Sequence, residues 1–338
     1  MTAPPAEAVR VPYDDLVAEF VRVMRSVGFD EARARRAARI FADASRDGVH
    51  SHGLNRFPLF VETIEQGFVR VDGVPERIAG FGSVERWNGN GGPGLLNAAL
   101  AMERAISLAR DHGIGCVALQ NTNHWQRGGT YGWQAAEAGM LALCWSNTKP
   151  NLPPWGAREP RLGNNPLVVA VPRADGHVVL DMAMSQFSYG QLDTHRRAGK
   201  LLPVEGGYDR AGALTRDPSE IEDSERPLPI GYWKGSGLSL VLDLMAAVLS
   251  GGKATHQITP EESGLSQVFI AIGPQPLAAG RSEGGVVDEI VAFVKAATPD
   301  RVGGDVHYPG ERSLETRRDA LANGVVVNAE VWERVRGM

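Results

Sequence analysis

The stretch GCVALQNTNHWQRGGTYGWQAAEAGMLALCWS, residues 115–146, decides the fold class of this chain. It begins with an apolar run at 115–120 and ends with another at 140–146, and both runs are typical of buried strands. The segment between them, YGWQAAEA at 131–138, has apolar residues at helical spacing. A strand, a helix and a second strand in this order predict a mixed α/β domain.

Helical patterns lie on both sides of this stretch. Before it, apolar spacing predicts helices at 12–25, 30–44 and 55–66, with residues 1–10 as a loose tail. After it, the region from about 312 to 336 also has a helical pattern. We expect this C-terminal region to pack back on the N-terminal helices.

The remaining chain alternates strands and helices. The residues at 235–250 are nearly all apolar, which predicts a buried helix. The polar, proline-rich stretch 209–229 is expected to be an excursion or a lid. The other predicted elements are strands at 83–87, 167–172, 177–182 and 267–272 and helices at 94–111 and 286–297.

Composition and charge exclude several classes of protein. The 338 residues suit about two domains, and 43% hydrophobic with 22% charged residues is typical of a soluble globular protein. The net charge of −5 argues against a nucleic-acid-binding protein, which needs a basic surface. No apolar run reaches the roughly 18 residues of a transmembrane helix, so no membrane partner is expected.

The N-terminus and the cysteines indicate the compartment. Residues 1–10, MTAPPAEAVR, lack the apolar core of a secretion signal. Cys116 and Cys144 both lie in apolar runs, where we expect free thiols in the core. Two such thiols in a long chain are typical of a reducing compartment, so we expect a cytoplasmic protein.

Residues 89–94, Gly-Asn-Gly-Gly-Pro-Gly, match the G-x-G-x-x-G fingerprint of dinucleotide-binding Rossmann folds. Two features argue against such a site. Pro93 removes an amide from the loop that would cradle a pyrophosphate, and the next strand ends without the acidic residue that would bind the ribose. We therefore interpret 89–94 as a glycine-rich turn that caps the helix at 94–111.

The segment from His50 to Arg56 is the first candidate for chemistry. Histidine exchanges protons near neutral pH, and the planar guanidinium of arginine suits a carboxylate. If the chain becomes helical after Gly53, Arg56 comes back near His52. The functional interpretation is a proton donor beside a carboxylate-binding arginine. The alternative is a surface cluster at a helix end.

A second histidine, His124, lies just beyond a buried strand, where α/β proteins place their ligands. It is either a catalytic group or a hydrogen-bonded structural histidine. A metal centre of a hydrolase, built from His50, His52 and His124, is a remote alternative. No nearby Cys or Glu has zinc-ligand spacing, so we assign no metal ligand.

Three further segments are candidates for binding. The amide-rich turns at 146–148 and 163–166 suit a planar amide or a sugar, but they are equally typical of ordinary turns. The segment 231–237 places Lys234 and three glycines before an apolar helix. A cation beside the free amides of a helix start favours a phosphate, and the alternative is a tightly packed helix start.

Taken together, these segments resemble the malate/L-lactate dehydrogenase-like family, which includes sulfolactate and ureidoglycolate dehydrogenases. That family is unrelated to the Rossmann lactate dehydrogenases. The resemblance extends from about residue 12 to 335. The motifs that carry it are GVHSHGLNRFP (48–58), NHWQRGGTYGWQAAEAG (123–139), PPWGARE (153–159), GNNPLVVAVP (163–172), LDMAMSQFSYG (180–190) and LPIGYWKGSG (228–237).

The resemblance implies an α/β (α+β) fold of the sulfolactate dehydrogenase-like, non-Rossmann NAD(P)-binding type. Its sheet is expected to be mixed and largely antiparallel, with the N-terminal helical region packed against the C-terminal helix. Residues 1–120 with 281–338 would form a substrate-side domain, and 121–280 a nicotinamide-binding domain. The family also implies a homodimer.

The resemblance also implies the site residues. His52 falls on the proton donor of the family and His124 on a second histidine that some members use as the acid or base. Ser51, Arg56, Asn147 and Asn165 are expected to bind the substrate, with Arg56 on its carboxylate. Asn164 stands where the family often has Thr.

Three segments correspond to cofactor-binding segments of the family. The third departs from the Gly-His-Glu expected there. The first comprises His177, Val178, Val179, Leu180, Asp181, Met182 and Ala183, the second Trp233 and Lys234, and the third Gly310, Glu311 and Arg312.

The implied reaction is the reduction of the C2 ketone of a 2-keto sugar acid by NADH, with NADPH as the alternative reductant. The expected substrate is 2,3-diketo-L-gulonate. Malate, lactate, ureidoglycolate or a cyclic imino acid are alternatives within the family. Outside it, a metal-dependent hydrolase or a non-catalytic sugar-acid-binding protein remain alternatives.

Overall fold

A computed structural model describes residues 8–273, 283–300 and 304–338. Seven of its strands form one mixed sheet in the order β2-β3-β4-β10-β5-β6-β7. In chain order the strands are β1 (Ala8–Val11), β2 (Glu76–Phe81), β3 (Val84–Asn88), β4 (Ile114–Thr122), β5 (Leu141–Ser146), β6 (Leu167–Val171), β7 (Val178–Met182), β8 (Gly207–Tyr208), β9 (Leu214–Thr215), β10 (Leu265–Ile272) and β11 (Val325–Asn328).

The two apolar strands of the stretch 115–146 do not pair with each other. Strand β10 lies between β4 and β5 and runs antiparallel to both. Only the β3–β4 pair is parallel among the six neighbouring pairs of this sheet. The predicted mixed, largely antiparallel sheet is therefore confirmed. Because both faces of the central strands are covered, these strands are apolar throughout, without strict alternation.

The helices cover the sheet and form the N-terminal layer. The side chain of Asp30 accepts a hydrogen bond from the Arg33 amide at 2.9 Å and so begins the second helix. The helices are α1 (Tyr13–Ser26), α2 (Glu31–Arg46), α3 (Phe57–Glu65), α4 (Gly94–His112), α5 (Gly129–Glu137), α6 (Tyr189–Arg197), α7 (Pro218–Ser224), α8 (Trp233–Ser250), α9 (Glu283–Lys295), α10 (Glu311–Asn323) and α11 (Ala329–Arg336).

The C-terminal segments pack on the N-terminal helices, as predicted. Arg334 of α11 forms an ion pair with Glu62 of α3 at 2.5 Å, and Arg22 of α1 donates to the Val335 carbonyl at 3.3 Å. Phe20 and Phe57 stack beneath this contact with ring centroids 4.2 Å apart. The N-terminal and C-terminal regions therefore share one core.

The predicted tail at 1–10 is wrong for residues 8–10, which belong to β1, and the predicted helical region is wrong for 325–328. These segments are β1 and β11, which pair antiparallel with Val9 opposite Val327. Each strand has only four residues, and its partner lies more than 300 residues away. Local periodicity carries no signal for such a pairing. Residues 1–7 lie outside the described residues.

Helix α8 is not a buried helix, contrary to the prediction. One face packs on the sheet, where the Trp145 indole donates to the Leu242 carbonyl at 3.0 Å. The other face is open, with 72% of Val248 exposed. Its other exposed apolar residues are Trp233, Leu238, Leu240, Val241, Leu244 and Met245. No helix among the described residues is long and apolar enough to cross a bilayer.

The stretch 209–229, predicted as an excursion or lid, belongs to a small folded unit that projects from the sheet. It contains β8, β9 and α7, and it packs on α6 through a cluster of Leu192, Leu202 and Ile221. This unit is therefore a structured wall rather than an irregular loop.

The division into two domains stays a prediction. Its second boundary, at residue 281, lies outside the described residues. The sheet itself contains strands from both proposed domains, because β2 and β3 precede residue 120 and β10 follows it.

Asp47, at the end of α2, joins three distant segments. Its carboxylate accepts hydrogen bonds from Arg127 at 2.6 Å, from Arg317 at 2.7 and 2.8 Å, and from Arg46 at 2.9 Å. Only 1% of the side chain is exposed. Burial alone would raise the pKa of Asp47, but the hydrogen bond from Arg317 and the charges of Arg127 and Arg46 outweigh it and lower the pKa to about 2.

We expect Asp47→Asn to lower the free energy of unfolding by about 3–5 kcal/mol, because it leaves buried guanidinium groups without their anion. The contribution of Asp47 to the free energy of unfolding is present above its ordinary pKa of 3.8 and is lost as the pH falls toward 2. The free energy of unfolding of the variant therefore lacks this dependence on pH. Urea unfolding between pH 3 and 7 measures both effects.

Asp319→Asn is the matched control, since Asp319 forms an exposed ion pair with Arg10. It is expected to unfold like the parent protein. An equal loss of stability in both variants would show that the buried ion pairs of Asp47 contribute no more to stability than an exposed ion pair.

Candidate active site

A cavity of about 1560 Å³ lies between the N-terminal helices, the end of the sheet and the unit around α6 and α7. Ligand pockets commonly measure roughly 300–1,000 Å³, so this cavity has room for a dinucleotide and a small acid together. The lining residues that matter most here are His52, Arg56, His124, Asp181, Tyr189 and Gly310.

His52 is placed by a short 3-10 turn that follows α2. The turn passes close to α2 at Gly53, where an added Cβ would lie 2.2 Å from Ser45 Oγ. The same hydroxyl accepts a hydrogen bond from the Leu54 amide at 2.8 Å. This contact fixes the turn, and it directs Ser51 and His52 into the cavity.

His124 is placed by the end of β4 and by a tight turn. The Gln126 amide donates to Nδ1 of His124 at 3.1 Å, so a neutral His124 carries its proton on Nε2. The rings of His52 and His124 lie nearly parallel with centroids 5.9 Å apart. Ser51 Oγ lies 2.9 Å from Nδ1 of His52. The two predicted catalytic histidines therefore share one site.

Both histidines are held in the neutral form when the site is empty. Burial, followed by the charge of the other histidine and of Arg56, lowers the pKa of His52 to about 3. Burial and the charge of Arg56 lower the pKa of His124 to about 3 as well. An anion bound beside Arg56 would cancel part of this positive potential and raise both pKa values.

Arg56 brings to the same cavity a cation whose N–H donors have no hydrogen-bond acceptor among the described residues. In the described part of the chain, no protein acceptor lies within hydrogen-bond distance of its guanidinium, and the nearest acid, Glu262, has its Oε2 3.7 Å from Nη2. About a third of the side chain is exposed. An arginine with free N–H donors in a cavity is a ready site for a carboxylate.

Two of the predicted cofactor segments meet at one wall. The Val179 amide of β7 donates to the Pro309 carbonyl at 2.9 Å, and an added Cβ on Gly310 would lie 3.1 Å from the Val179 nitrogen. Gly310, with φ +96°, and Arg312 stand at the start of α10 and line the cavity. Val179, Leu180, Asp181 and Ala183 line it as well.

Asp181 is the charged residue of this wall. Its Oδ2 accepts a hydrogen bond from the Gly129 amide at 2.7 Å. Burial raises the pKa of Asp181, and the charge of Arg127 opposes that shift. Nearby, Gln126 Oε1 and Arg127 Nε are buried with no hydrogen-bond partner among the described residues. Unsatisfied polar atoms at a cavity wall fit a polar cofactor such as a nicotinamide.

Other members of the predicted cofactor segments point elsewhere. His177 uses Nδ1 to accept from the Arg173 amide at 3.0 Å, and Glu311 pairs with Lys295 and His307. Val178 and Met182, like these two, are not among the residues that line the cavity. Trp233 and Lys234 lie at the start of α8, outside the cavity of their own chain, with 65% of Trp233 exposed.

Asn147 and Asn165 do not reach the cavity, contrary to the predicted substrate contacts. Asn147 donates to Asp243 at 2.9 Å and accepts from the Ser266 amide at 2.8 Å. Asn165 donates to the Ser239 carbonyl and accepts from the Thr148 amide, both at 2.9 Å. Both side chains are fully buried, so their amides already have protein partners.

The three histidines of the metal alternative do not converge. His50 is absent from the cavity lining that holds His52 and His124. Within the described ranges, the one group of three closely spaced metal-type ligands is His307, Glu311 and Glu315, and Glu311 there is paired with Lys295.

The glycine-rich loop at 89–94 packs inside the protein. An added Cβ on Gly94 would lie 2.0 Å from the Asn123 carbonyl oxygen, and the Asn123 side chain donates to the Gly91 and Gly92 carbonyls at 2.8 and 2.9 Å. The loop therefore supports the segment that carries His124, and it takes no part in the cavity lining.

Sequence reasoning missed an acidic wall of the cavity. Tyr189 lines the cavity near Glu222, Glu225 and Glu262. Two of these glutamates lie in the stretch PSEIEDSE at 218–225, where the run of acids was the available signal. Glu262 lies in a short loop before β10 and had no such signal.

The chain is similar to known proteins along nearly its whole length. The chain is 43% identical over 333 residues to the 2,3-diketo-L-gulonate reductase of Salmonella typhi. The aligned region covers 98% of this chain and 100% of that protein. The malate dehydrogenase structure from Pyrococcus horikoshii superposes with a TM-score of 0.90 at 27% identity over 99% of this chain and 95% of that one. The sulfolactate dehydrogenase structure from Methanocaldococcus jannaschii superposes with a TM-score of 0.88 at 26% identity, over 97% of this chain and 95% of that one.

The predicted sulfolactate dehydrogenase-like fold is confirmed by these superpositions. A family profile described as malate/L-lactate dehydrogenase matches residues 11–336, which is nearly the whole chain. Together with the full-length relative, this match confirms the family resemblance. The chain belongs to the malate/L-lactate dehydrogenase family.

Proposed function

We propose that this protein is an NAD(P)H-dependent reductase that reduces the C2 ketone of 2,3-diketo-L-gulonate or a closely related 2-keto sugar acid. The observation that supports the proposal most directly is the meeting of His52, His124 and Arg56 in one large cavity. The full-length similarity to a 2,3-diketo-L-gulonate reductase supports the substrate. A 2-hydroxy acid such as malate, lactate or ureidoglycolate, or a cyclic imino acid, is the alternative substrate.

Arg56 would bind the substrate carboxylate. Its guanidinium has no hydrogen-bond acceptor among the described residues, so two N–H donors are free to form a bidentate contact. That contact would hold the adjacent C2 carbonyl near the two histidines. Ser51 is within 2.9 Å of His52 Nδ1, so it would orient the imidazole more than it would bind the substrate.

His52 would deliver the proton to the C2 oxygen. Negative charge grows on this oxygen during reduction, and a positioned acid stabilises it. His124 would donate a hydrogen bond from Nε2–H to the same oxygen, because its Nδ1 is already occupied by the Gln126 amide. In the empty site His52 is neutral, so protonation would have to accompany binding of the carboxylate.

The nicotinamide cofactor would supply the hydride, with NADH as the proposed reductant and NADPH as the alternative. The wall formed by Val179, Asp181 and Gly310 would hold it, with Arg312 as a cation for its phosphates. Gln126 Oε1 and Arg127 Nε have no hydrogen-bond partner among the described residues, and they would bind polar groups of the cofactor.

We also propose a homodimer formed through α8. Contiguous exposed apolar surface on a helix face commonly marks a protein interface. The outer face of α8 exposes the apolar side chains of Val241, Leu244, Met245 and Val248. Self-association would cover this face. Trp233 and Lys234 lie outside the cavity of their own chain. In the dimer they would lie near the cofactor site of the second copy.

The cytoplasm is the proposed location. Cys116 and Cys144 are both free and buried, as expected of a protein kept in a reducing compartment. Burial raises the pKa of Cys116 to about 11, which makes that thiol unreactive.

Absorbance at 340 nm with NADH or NADPH and a panel of 2-keto acids tests the proposed reaction. The panel contains 2,3-diketo-L-gulonate, pyruvate, oxaloacetate and a cyclic imino acid. We expect His52→Asn to lower kcat on the preferred acid by about 10²-fold or more, because the positioned proton donor is lost. The affinity for NADH, measured by fluorescence titration, should change little.

His50→Asn is the matched control, because His50 is two residues away and does not line the cavity. Its kcat is expected to stay near that of the parent. Near-normal turnover in His52→Asn would contradict the assignment of the proton donor. Selective reduction of another acid in the panel would support the proposed reaction at His52 and Arg56 but would contradict the proposed substrate.

The lowered histidine pKa values predict proton uptake on binding. At pH 7 both histidines are neutral in the empty site, since each pKa lies near 3. A carboxylate on Arg56 raises these pKa values, so kcat/KM for reduction should rise as the pH falls from 8 to 6. Calorimetry with oxamate in two buffers of different ionisation enthalpy measures the uptake. Proton release, or no dependence on the buffer, would contradict this coupling.

Val248→Glu tests the dimer, because it places a charge at the most exposed apolar residue of α8, which is 72% exposed. We expect sedimentation to show monomers and NADH affinity to fall at least about tenfold, as the second copy no longer contributes to the site. Phe293→Glu on α9 is the control, since Phe293 is 83% exposed and lies on another helix. A dimeric Val248→Glu protein would show that α8 is not the interface.

A further inference from the structure

The part of the cavity around Tyr189 is acidic. Glu222, Glu225 and Glu262 all line the cavity. Burial, followed by the charges of these three glutamates, raises the pKa of Tyr189 to about 12. The phenol therefore stays protonated, and it donates to the Asn151 carbonyl at 2.9 Å. This wall offers acceptors and a hydroxyl group, and it carries a negative potential.

Glu262 is the member of this wall that faces the carboxylate-binding residue. Its Oε2 lies 3.7 Å from Nη2 of Arg56, and only 13% of its side chain is exposed. This distance is longer than a hydrogen bond, so the interaction is an attraction between charges across the cavity. In the empty site, a protein carboxylate therefore stands beside the arginine that the substrate carboxylate must reach.

The backbone holds Glu262 in place at an energetic cost. Six non-glycine residues in the described part of the chain have positive φ, and three of them, Gln126, Glu225 and Glu262, line the cavity. Glu262 has φ +56° and its amide donates to the Thr259 carbonyl at 3.0 Å. Glycine or asparagine would adopt this conformation more easily. A glutamate kept there indicates that its side chain has a task at the site.

Lys149 is the other cation near this loop. Its Nζ donates to the Pro260 carbonyl at 3.2 Å. A hydrogen bond from the Thr259 side chain lowers the pKa of the exposed Glu261, and the charge of Lys149 adds to that shift. Lys149 therefore anchors the loop beside Glu261 and has no ion pair with Glu262 among the described residues. The charge of Glu262 is thus directed mainly at Arg56 and at whatever lies on it.

We propose that Glu262 is a specificity-determining residue that restricts Arg56 to 2-keto acids with a single carboxylate and an uncharged, hydroxyl-bearing tail. A monoanionic acid places its carboxylate on Arg56, and its hydroxyl groups donate to the glutamates of the wall. A dianionic acid brings a second carboxylate toward Glu222, Glu225 and Glu262, where like charges repel it. The inference rests on the proposed function, because it takes Arg56 as the carboxylate-binding residue.

Glu262→Gln tests the proposal, because it keeps the shape of the side chain and removes its charge. The probes are oxaloacetate and its amide 2-oxosuccinamate, which differ by one charge in the tail. We expect the ratio of kcat/KM for oxaloacetate to that for the amide to rise at least about tenfold in the variant. The change should appear mainly in KM, with kcat on the amide nearly constant, since no group that transfers a proton is altered.

Glu159→Gln is the matched control, since the Glu159 side chain is 77% exposed and does not line the cavity, whereas the neighbouring Glu261 does. Its ratio should stay within about twofold of the parent. An unchanged ratio in Glu262→Gln, or an equal rise in both variants, would overturn the proposal. A fall in kcat/KM for both acids alike would also overturn it, because that result indicates a purely structural role.

Calorimetric binding of the same two acids separates this inference from the proposed function. If the parent oxidises no cofactor with any keto acid but binds the amide more tightly than oxaloacetate, and Glu262→Gln removes the difference, the inference stands and the proposed reaction fails. If neither acid binds the parent with or without NADH, Arg56 is not a carboxylate site and both fail.

Discussion

The buried carboxylate of Asp47 is the constraint on which the rest of the site depends. It accepts hydrogen bonds from Arg46 on its own helix, from Arg127 just after His124, and from Arg317 near the C-terminus. One side chain thus fixes the end of α2, from which the His52 turn begins, against the segment that carries the second histidine. The distance between the two imidazoles is a consequence of this junction.

The same junction sets the electrostatics of the cavity. Burial, together with the positive charge of Arg56, lowers the pKa of both histidines, and Arg127 adds to this effect at His52, so both rings are neutral near pH 7. In the proposed mechanism, the acidic wall around Tyr189 would limit how much negative charge a bound anion brings. Selection of the substrate and protonation of His52 would then be two results of one charge balance, centred on Arg56.

Local sequence patterns predicted much of the fold and the central part of the site. The apolar runs at 115–120 and 140–146 specified buried strands, and the short spacing between His52 and Arg56 was enough to place both in one turn. The insertion of β10 between β4 and β5 had no local signal. The exposed face of α8 was missed because an apolar helical sequence looks the same whether the core covers the whole helix or only one of its faces. The buried hydrogen bonds of Asn147 had no signal in the sequence, because an amide with a structural role and an amide that binds a ligand have the same sequence pattern.

The pairing of β1 with β11 has a consequence for how the protein is made. Val9 lies opposite Val327, and Arg317 reaches back to Asp47, so the first helices obtain their last partners only after nearly the whole chain has been synthesised. Contacts between such distant segments close slowly, because chain entropy must be lost before they form. A nascent chain that still lacks α10 leaves Asp47 without one of its arginines. The junction that holds the His52 turn against the segment carrying His124 is therefore completed only after Arg317 has been synthesised.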